Sequence, residues 1–128
     1  MNEIETQAGL AETAGYLYAK KIGSQLHVAG QVPTDPSGDI VGIDDPYRQA
    51  HQCLASLELL LKCHDFEKRD IQHLTIYVVG DRESLACAWR AIKEEFPQGV
   101  PPATLLGVAL LGYDNQLVEI DAKVIREL

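Results

Sequence analysis

The chain has 128 residues and a mass of 14.1 kDa, which suits one compact domain spanning 1–128 and is too short for two ordinary ones. Apolar residues at 46% and charged residues at 23% exclude a disordered chain. Nineteen acidic side chains against eleven basic ones give a formal charge of −8, which repels nucleic acid. No apolar run approaches the roughly 18–20 residues needed to span a bilayer, so no membrane partner is expected. The start, MNEIETQAGLAET, is acidic and polar, unlike a signal peptide. Cys53, Cys63 and Cys87 make an odd number without a tight pairing motif, as in a cytoplasmic protein with reduced thiols.

Residues 1–14 have no clean periodicity and read as an arm wrapping the surface. GYLYAKK (15–21) and LHVAG (26–30), joined through Gly23-Ser24, form a β-hairpin pattern. QVPTDPSGDIVGIDDP (31–46) is rich in Pro, Gly and Asp and reads as a long loop, the kind of segment where sites often sit. Asp45-Pro46 then opens a helix, Asp as N-cap and Pro in the first turn. Its apolar stripe is Ala50, Cys53, Leu54, Leu57, Leu60 and Leu61, and it stops near His64-Asp65. DIQHLTIYVVGD (70–81) predicts a central strand. Asp81 caps a second helix with the stripe Leu85, Ala88, Trp89, Ile92 and Phe96, stopped by Pro97 and Gly99. ATLLGVALL (103–111) and QLVEIDAKVI (116–125) predict two more strands joined by the turn-like GYDN (112–115).

The order β-β-α-β-α-β-β predicts an α+β two-layer sandwich with its helices on one sheet face. In the last strand Val118, Ile120, Ala122 and Val124 share the face under the helices, and Glu119, Asp121 and Lys123 share the other. In the preceding strand neither side is polar: Thr104, Leu106, Val108 and Leu110 alternate with Leu105, Gly107, Ala109 and Leu111. A face that mixes large aliphatic residues with charges is unlike one left wholly to water, and self-association covers it economically.

These segments together resemble the Rid family (reactive intermediate deaminases, also called YjgF or L-PSP proteins). The resemblance runs from Gly15 to Ile125, through AGQVPTDPSGDIV (29–41), QAHQCLASLELLLK (49–62), HLTIYVVGD (73–81), the PAT tripeptide (102–104) and VEIDAKV (118–124). It implies a chorismate-mutase-like fold assembled as a homotrimer, with trimer contacts on the helix-free face and pockets between subunits. It also implies cofactor-independent hydrolysis of enamines and imines formed by amino-acid enzymes, such as the 2-aminoacrylate/2-iminopropionate pair, to the 2-keto acid and ammonia, with no metal. In the family a tyrosine near the N-terminus closes the pocket, an arginine in a P-A-R tripeptide grips the substrate carboxylate, and a glutamate in the last strand positions water. The tyrosine falls on Tyr16 and the glutamate on Glu119.

The arginine position falls on Thr104. One neutral hydroxyl replaces a charged, bidentate fork, a change that costs about 1.5–3 kcal/mol of carboxylate binding. A small polar residue common before the G-Q pair is Ala29 here, and an asparagine often found in the second helix falls at Trp89. The resemblance therefore implies a surviving pocket geometry with a substrate other than 2-iminopropionate.

Glu119 is the candidate general base or water-orienting group; the bland alternative is a solvated or ion-paired strand carboxylate. Thr104 is either a ligand donor or a β-branched strand residue. Tyr16 is either a pocket aromatic or a half-buried hairpin residue, and Trp89 is in phase with core packing. His27, His51, His64 and His73 have no zinc-site spacing, and Cys63-His64 adjoin at a helix end where neighbours point apart. The glycines of VAGQVPTDPSGDIVG lack a phosphate-binding fingerprint. Some family members carry an endoribonuclease label, which charge gives no reason to extend here. Two functions remain open: an imine or enamine hydrolase, and a non-catalytic trimer that binds a small metabolite or serves as an accessory subunit.

Overall fold

A computed structural model describes residues 2–127. The chain opens with a short helix, α1 (Glu3–Gln7), in the stretch without periodicity. Five residues are too few for a stripe, and the local signal is instead a capping box: Asn2 accepts from the Glu5 N–H, and the Glu5 carboxylate accepts from the Asn2 N–H. Glu5 is buried, and its other oxygen lies 2.9 Å from His64 Nε2, which fastens the arm to the end of the long helix.

Strands β1 (Ala19–Ile22) and β2 (Gln25–Val28) form the expected antiparallel hairpin. Helix α2 (Pro46–Cys63) starts where Asp45 and Pro46 dictate, the Asp45 carboxylate accepting from the Arg48 N–H. Its six stripe residues are all buried, Leu57 and Leu60 completely. At about 1.5–3 kcal/mol for each fully buried leucine, this face is a principal source of cohesion. A 3-10 turn (Lys68–Asp70) leads into β3 (Ile71–Val79), whose Leu74, Ile76 and Val78 point inward. Helix α3 (Arg82–Glu95) is capped by Asp81, which accepts from the backbone and hydroxyl of Ser84. Ala88 and Ile92 of its stripe are fully buried, while Leu85, Trp89 and Phe96 pack against the rim of the core.

The last strands are β4 (Ala103–Val108) and β5 (Val118–Ile125), in the sheet order β1-β2-β5-β3-β4. Although consecutive in sequence, β4 and β5 are not neighbours. β4 runs parallel to β3, the arrangement a helical crossover through α3 produces. β5 inserts between β2 and β3, antiparallel to both, with Leu26 opposite Val124 and Ile76 opposite Ile120. β4 ends three residues earlier than its apolar run. The β3 ladder stops at the Val79–Val108 pair, after which Gly80, at φ 132°, turns the chain into α3. Residues 109–111 therefore have no strand to pair with, and Leu110 is 76% exposed.

All the inward aliphatic residues of β2, β3 and β5 face α2 and α3. The opposite face of the sheet carries His27, His73, Thr75, Asp121 and Lys123 around a hollow of about 700 Å³. This is the chorismate-mutase-like α+β arrangement, one mixed sheet with helices on one side. Among the described residues no helix is long and apolar enough to cross a membrane.

Candidate functional site

The segment after β2 runs beside β5. Gln31 and Ile120 exchange both backbone hydrogen bonds, at 2.7 and 3.1 Å. This pairing lays Gly30 against Glu119 so closely that a Cβ on Gly30 would lie 2.4 Å from Glu119 Oε2 and 2.9 Å from its Cδ. The carboxylate occupies the space that a side chain on this glycine would take. The glycine backbone is not in the left-handed region.

The other carboxylate oxygen, Oε1, accepts a hydrogen bond from Gln116 Nε2 at 3.2 Å. Gln116 is buried in the turn before β5, where its Oε1 accepts from the Tyr113 N–H. The turn is bolted to α2 by Gln49, which is fully buried and uses every polar atom of its amide. Gln49 Nε2 donates to the carbonyls of Gly42 and Asn115, and its Oε1 accepts from the N–H groups of Leu117 and Val118. With four good partners, Gln49 ties the long loop, the turn and the first residues of β5 to one helix.

Tyr16 is 39% exposed and stands on the arm side of this carboxylate. Its hydroxyl is held well above the usual tyrosine range by partial burial first, then by the Tyr113 hydroxyl, Tyr18 and the Glu119 charge. It therefore stays a neutral donor at physiological pH. Tyr16, Tyr18, Gly30, Gln31, Ser56 and Tyr113 line a narrow cavity of about 40 Å³. Cys53 lies beneath the site, its thiol 3.6 Å from the Val118 carbonyl. Complete burial and then the Glu119 charge push that thiol well up, the opposite of what a nucleophile needs.

The structure thus brings Tyr16, Ala29-Gly30 and Glu119 together. It does not bring Thr104 or Trp89 to them within the chain. Thr104 is exposed on β4, its hydroxyl 3.3 Å from His73 Nε2. Glu119 is paired with Tyr77 and Tyr77 with Leu106, so Thr104 lies two strands across and two residues along, about 12 Å away. Trp89 packs on the core from α3. Ala29 donates its N–H to the Tyr18 carbonyl and accepts from Gln31 Nε2, so its contribution is backbone alone. Gln49, Tyr113 and Gln116 carry no motif or periodicity in the sequence that marks them for this site. Gln116 and Glu119 would point to opposite faces of a continuous strand, and the prediction of a strand from residue 116 hid their contact.

Residues 6–126 match the family model described as Endoribonuclease L-PSP, and the chain belongs to that family, the Rid/YjgF/L-PSP proteins anticipated from its motifs. It is 31% identical over 113 residues to a RutC family protein of Pyrococcus horikoshii, covering 88% of this chain and 87% of that one. It is 26% identical over 125 residues to the 2-iminobutanoate/2-iminopropanoate deaminase of Salmonella typhimurium, covering 96% of each. The crystal structure of the E. coli YjgF gene product has the same fold, with a TM-score of 0.84 at 23% identity over 99% of this chain and 100% of the other.

Proposed function

We propose that this protein hydrolyses a small reactive imine or enamine in a pocket completed by a second copy of the chain in a homotrimer. The observation that carries the reading is the Glu119 carboxylate, one oxygen held by Gln116 and the other pressed over Gly30 beside a neutral Tyr16. The 26% identical Salmonella deaminase supports the reaction class. The helix-free sheet face, which joins exposed Leu106 to Asp121 and Lys123, supports a pocket completed by a neighbouring chain, with this chain supplying the water-handling side.

In the proposed chemistry, Glu119 takes a proton from water as the water oxygen bonds to the imine carbon and the C=N π electrons move to nitrogen. The proton then passes to that nitrogen. Glu119 next carries the remaining hydroxyl proton of the resulting carbinolamine to the nitrogen, the C–N bond breaks with its electrons leaving on ammonia, and the oxygen electrons close the carbonyl. Tyr16 donates a hydrogen bond and keeps its proton. No cofactor takes part.

Thr104, which replaces a guanidinium with a hydroxyl already near His73, supports a substrate that needs no carboxylate anchor. The decisive assay compares two probes: neutral imines made in situ by an amine oxidase, and 2-imino acids made by an amino-acid oxidase. Loss of the neutral imine faster than in buffer, abolished by Glu119→Gln, is the expected result. Equal decay with and without protein would refute hydrolysis. The same Thr104 supports a second reading, a binding trimer without turnover, which ligand-induced thermal stabilisation without ammonia release would establish.

A further inference from the structure

Glu119 is the group proposed to handle water, yet a glutamate has three side-chain torsions and needs something to hold its carboxylate. Gln116 is built for that purpose. Its side chain is 3% exposed, and its amide has one possible orientation. The Tyr113 N–H, a donor 3.2 Å away, demands the amide oxygen, while the acceptors Val118 O and Glu119 Oε1, at 3.1 and 3.2 Å, demand the amide nitrogen. A flipped amide would face a donor with donors and two acceptors with an oxygen.

The backbone is bent to allow this contact. Residues 116 and 119 would face opposite ways in an extended strand. Here Asn115 takes a left-handed φ of 66°, and the Gln116 N–H donates to the Tyr113 carbonyl, so the side chain folds back along the entry to β5. Gln49 then fixes that turn from α2 through Asn115, Leu117 and Val118.

We infer that Gln116 is the positioning residue of the site: its amide holds Glu119 Oε1 so that Oε2, over Gly30, is the oxygen left to receive the water proton. This rests on the hydrolase reading above. It also makes Gln116 the link between the carboxylate and Tyr113, whose hydroxyl neighbours Tyr16. The same buried amide thus joins the carboxylate to the Tyr113 backbone.

The test uses Gln116→Met, which fills a similar volume without polar atoms, and Gln116→Glu, which keeps the shape and the acceptor for the Tyr113 N–H. For imine hydrolysis, Gln116→Met should lower kcat roughly 10- to 100-fold, the scale of a misplaced reacting group, with KM changed less than about threefold. A crystal structure should find the Glu119 carboxylate turned from Gly30. In Gln116→Glu two facing carboxylates share a proton at low pH, so one still donates to the other. Its activity should approach that of the native protein near pH 5 and fall away above neutrality, a profile that a merely structural residue would not produce.

Native kcat in Gln116→Met with the carboxylate in place overturns the inference, as does a Gln116→Glu profile matching the native one. If Glu119→Gln is as active as the native protein, the hydrolase reading falls instead. The position of the Glu119 carboxylate in the Gln116→Met crystal structure then decides the role of Gln116 alone. Should Gln116→Met fail to fold, the Gln116→Glu pH profile and crystal structure decide it.

Discussion

Gly30→Ala perturbs the site by one carbon. The new Cβ would stand 2.4 Å from Glu119 Oε2, and ordinary contact begins near 3.4 Å, so the oxygen must retreat by about 1 Å. Moving the carboxylate as a unit strains the 3.2 Å bond that Gln116 makes to its other oxygen. Stability should fall only modestly, because one gain partly offsets two losses. Alanine restricts the unfolded chain and contributes about 0.4–1 kcal/mol; the strained hydrogen bond costs at most about 1 kcal/mol; and crowding costs about 1–3 kcal/mol, at the low end because the clash is with the end of a flexible side chain. A net loss of about 1 kcal/mol lowers Tm by about 3–5 °C in a chain of this length. Catalysis should suffer far more, about 100-fold in kcat, or about 2.7 kcal/mol of transition-state stabilisation. Imine-decay kinetics and a thermal melt on the same sample separate the two. If kcat stays within threefold of native while Glu119 keeps its position, the carboxylate's placement over Gly30 is not what the reaction uses.

Light scattering after size exclusion should give the mass of three chains, since the helix-free face joins exposed Leu106 to Asp121 and Lys123; a single-chain mass at micromolar concentration would refute the shared pocket. Thr104→Arg should raise hydrolysis of 2-iminopropionate above the buffer rate, and Glu119→Gln should remove that gain; an intact trimer with no gain would mean that the pocket differs beyond the arginine. Asp81→Ala should lower Tm at neutral pH. Hydrogen bonds from the Ser84 backbone and hydroxyl hold the Asp81 carboxyl below its ordinary range, so its contribution is present above the unfolded value and lost as the pH falls through the folded one. The Tm gap between native and variant should accordingly close below about pH 4, and a gap that persists there would point to another cause.

Local physics made much of the chain legible from the sequence. Asp45-Pro46 and Asp81 announce helices because a carboxylate at an N-cap satisfies orphaned N–H groups whatever the surroundings. The apolar stripe of α2 and the alternation in β3 and β5 mark their inner faces because side-chain direction follows from backbone geometry alone. The motifs around Gly30 and Glu119 likewise identified the family. Tertiary structure decided the rest. That β5 enters between β2 and β3 depends on which edges are free once α3 has carried β4 to the far side of β3, a competition among distant segments that no window of sequence records. The contact between Gln116 and Glu119 is made across a turn at Asn115 that Gln49, more than sixty residues away on α2, holds through Asn115 and Leu117. A glutamine amide has no periodicity and no preferred partner in sequence. Its meaning comes from the four groups that the fold places around it.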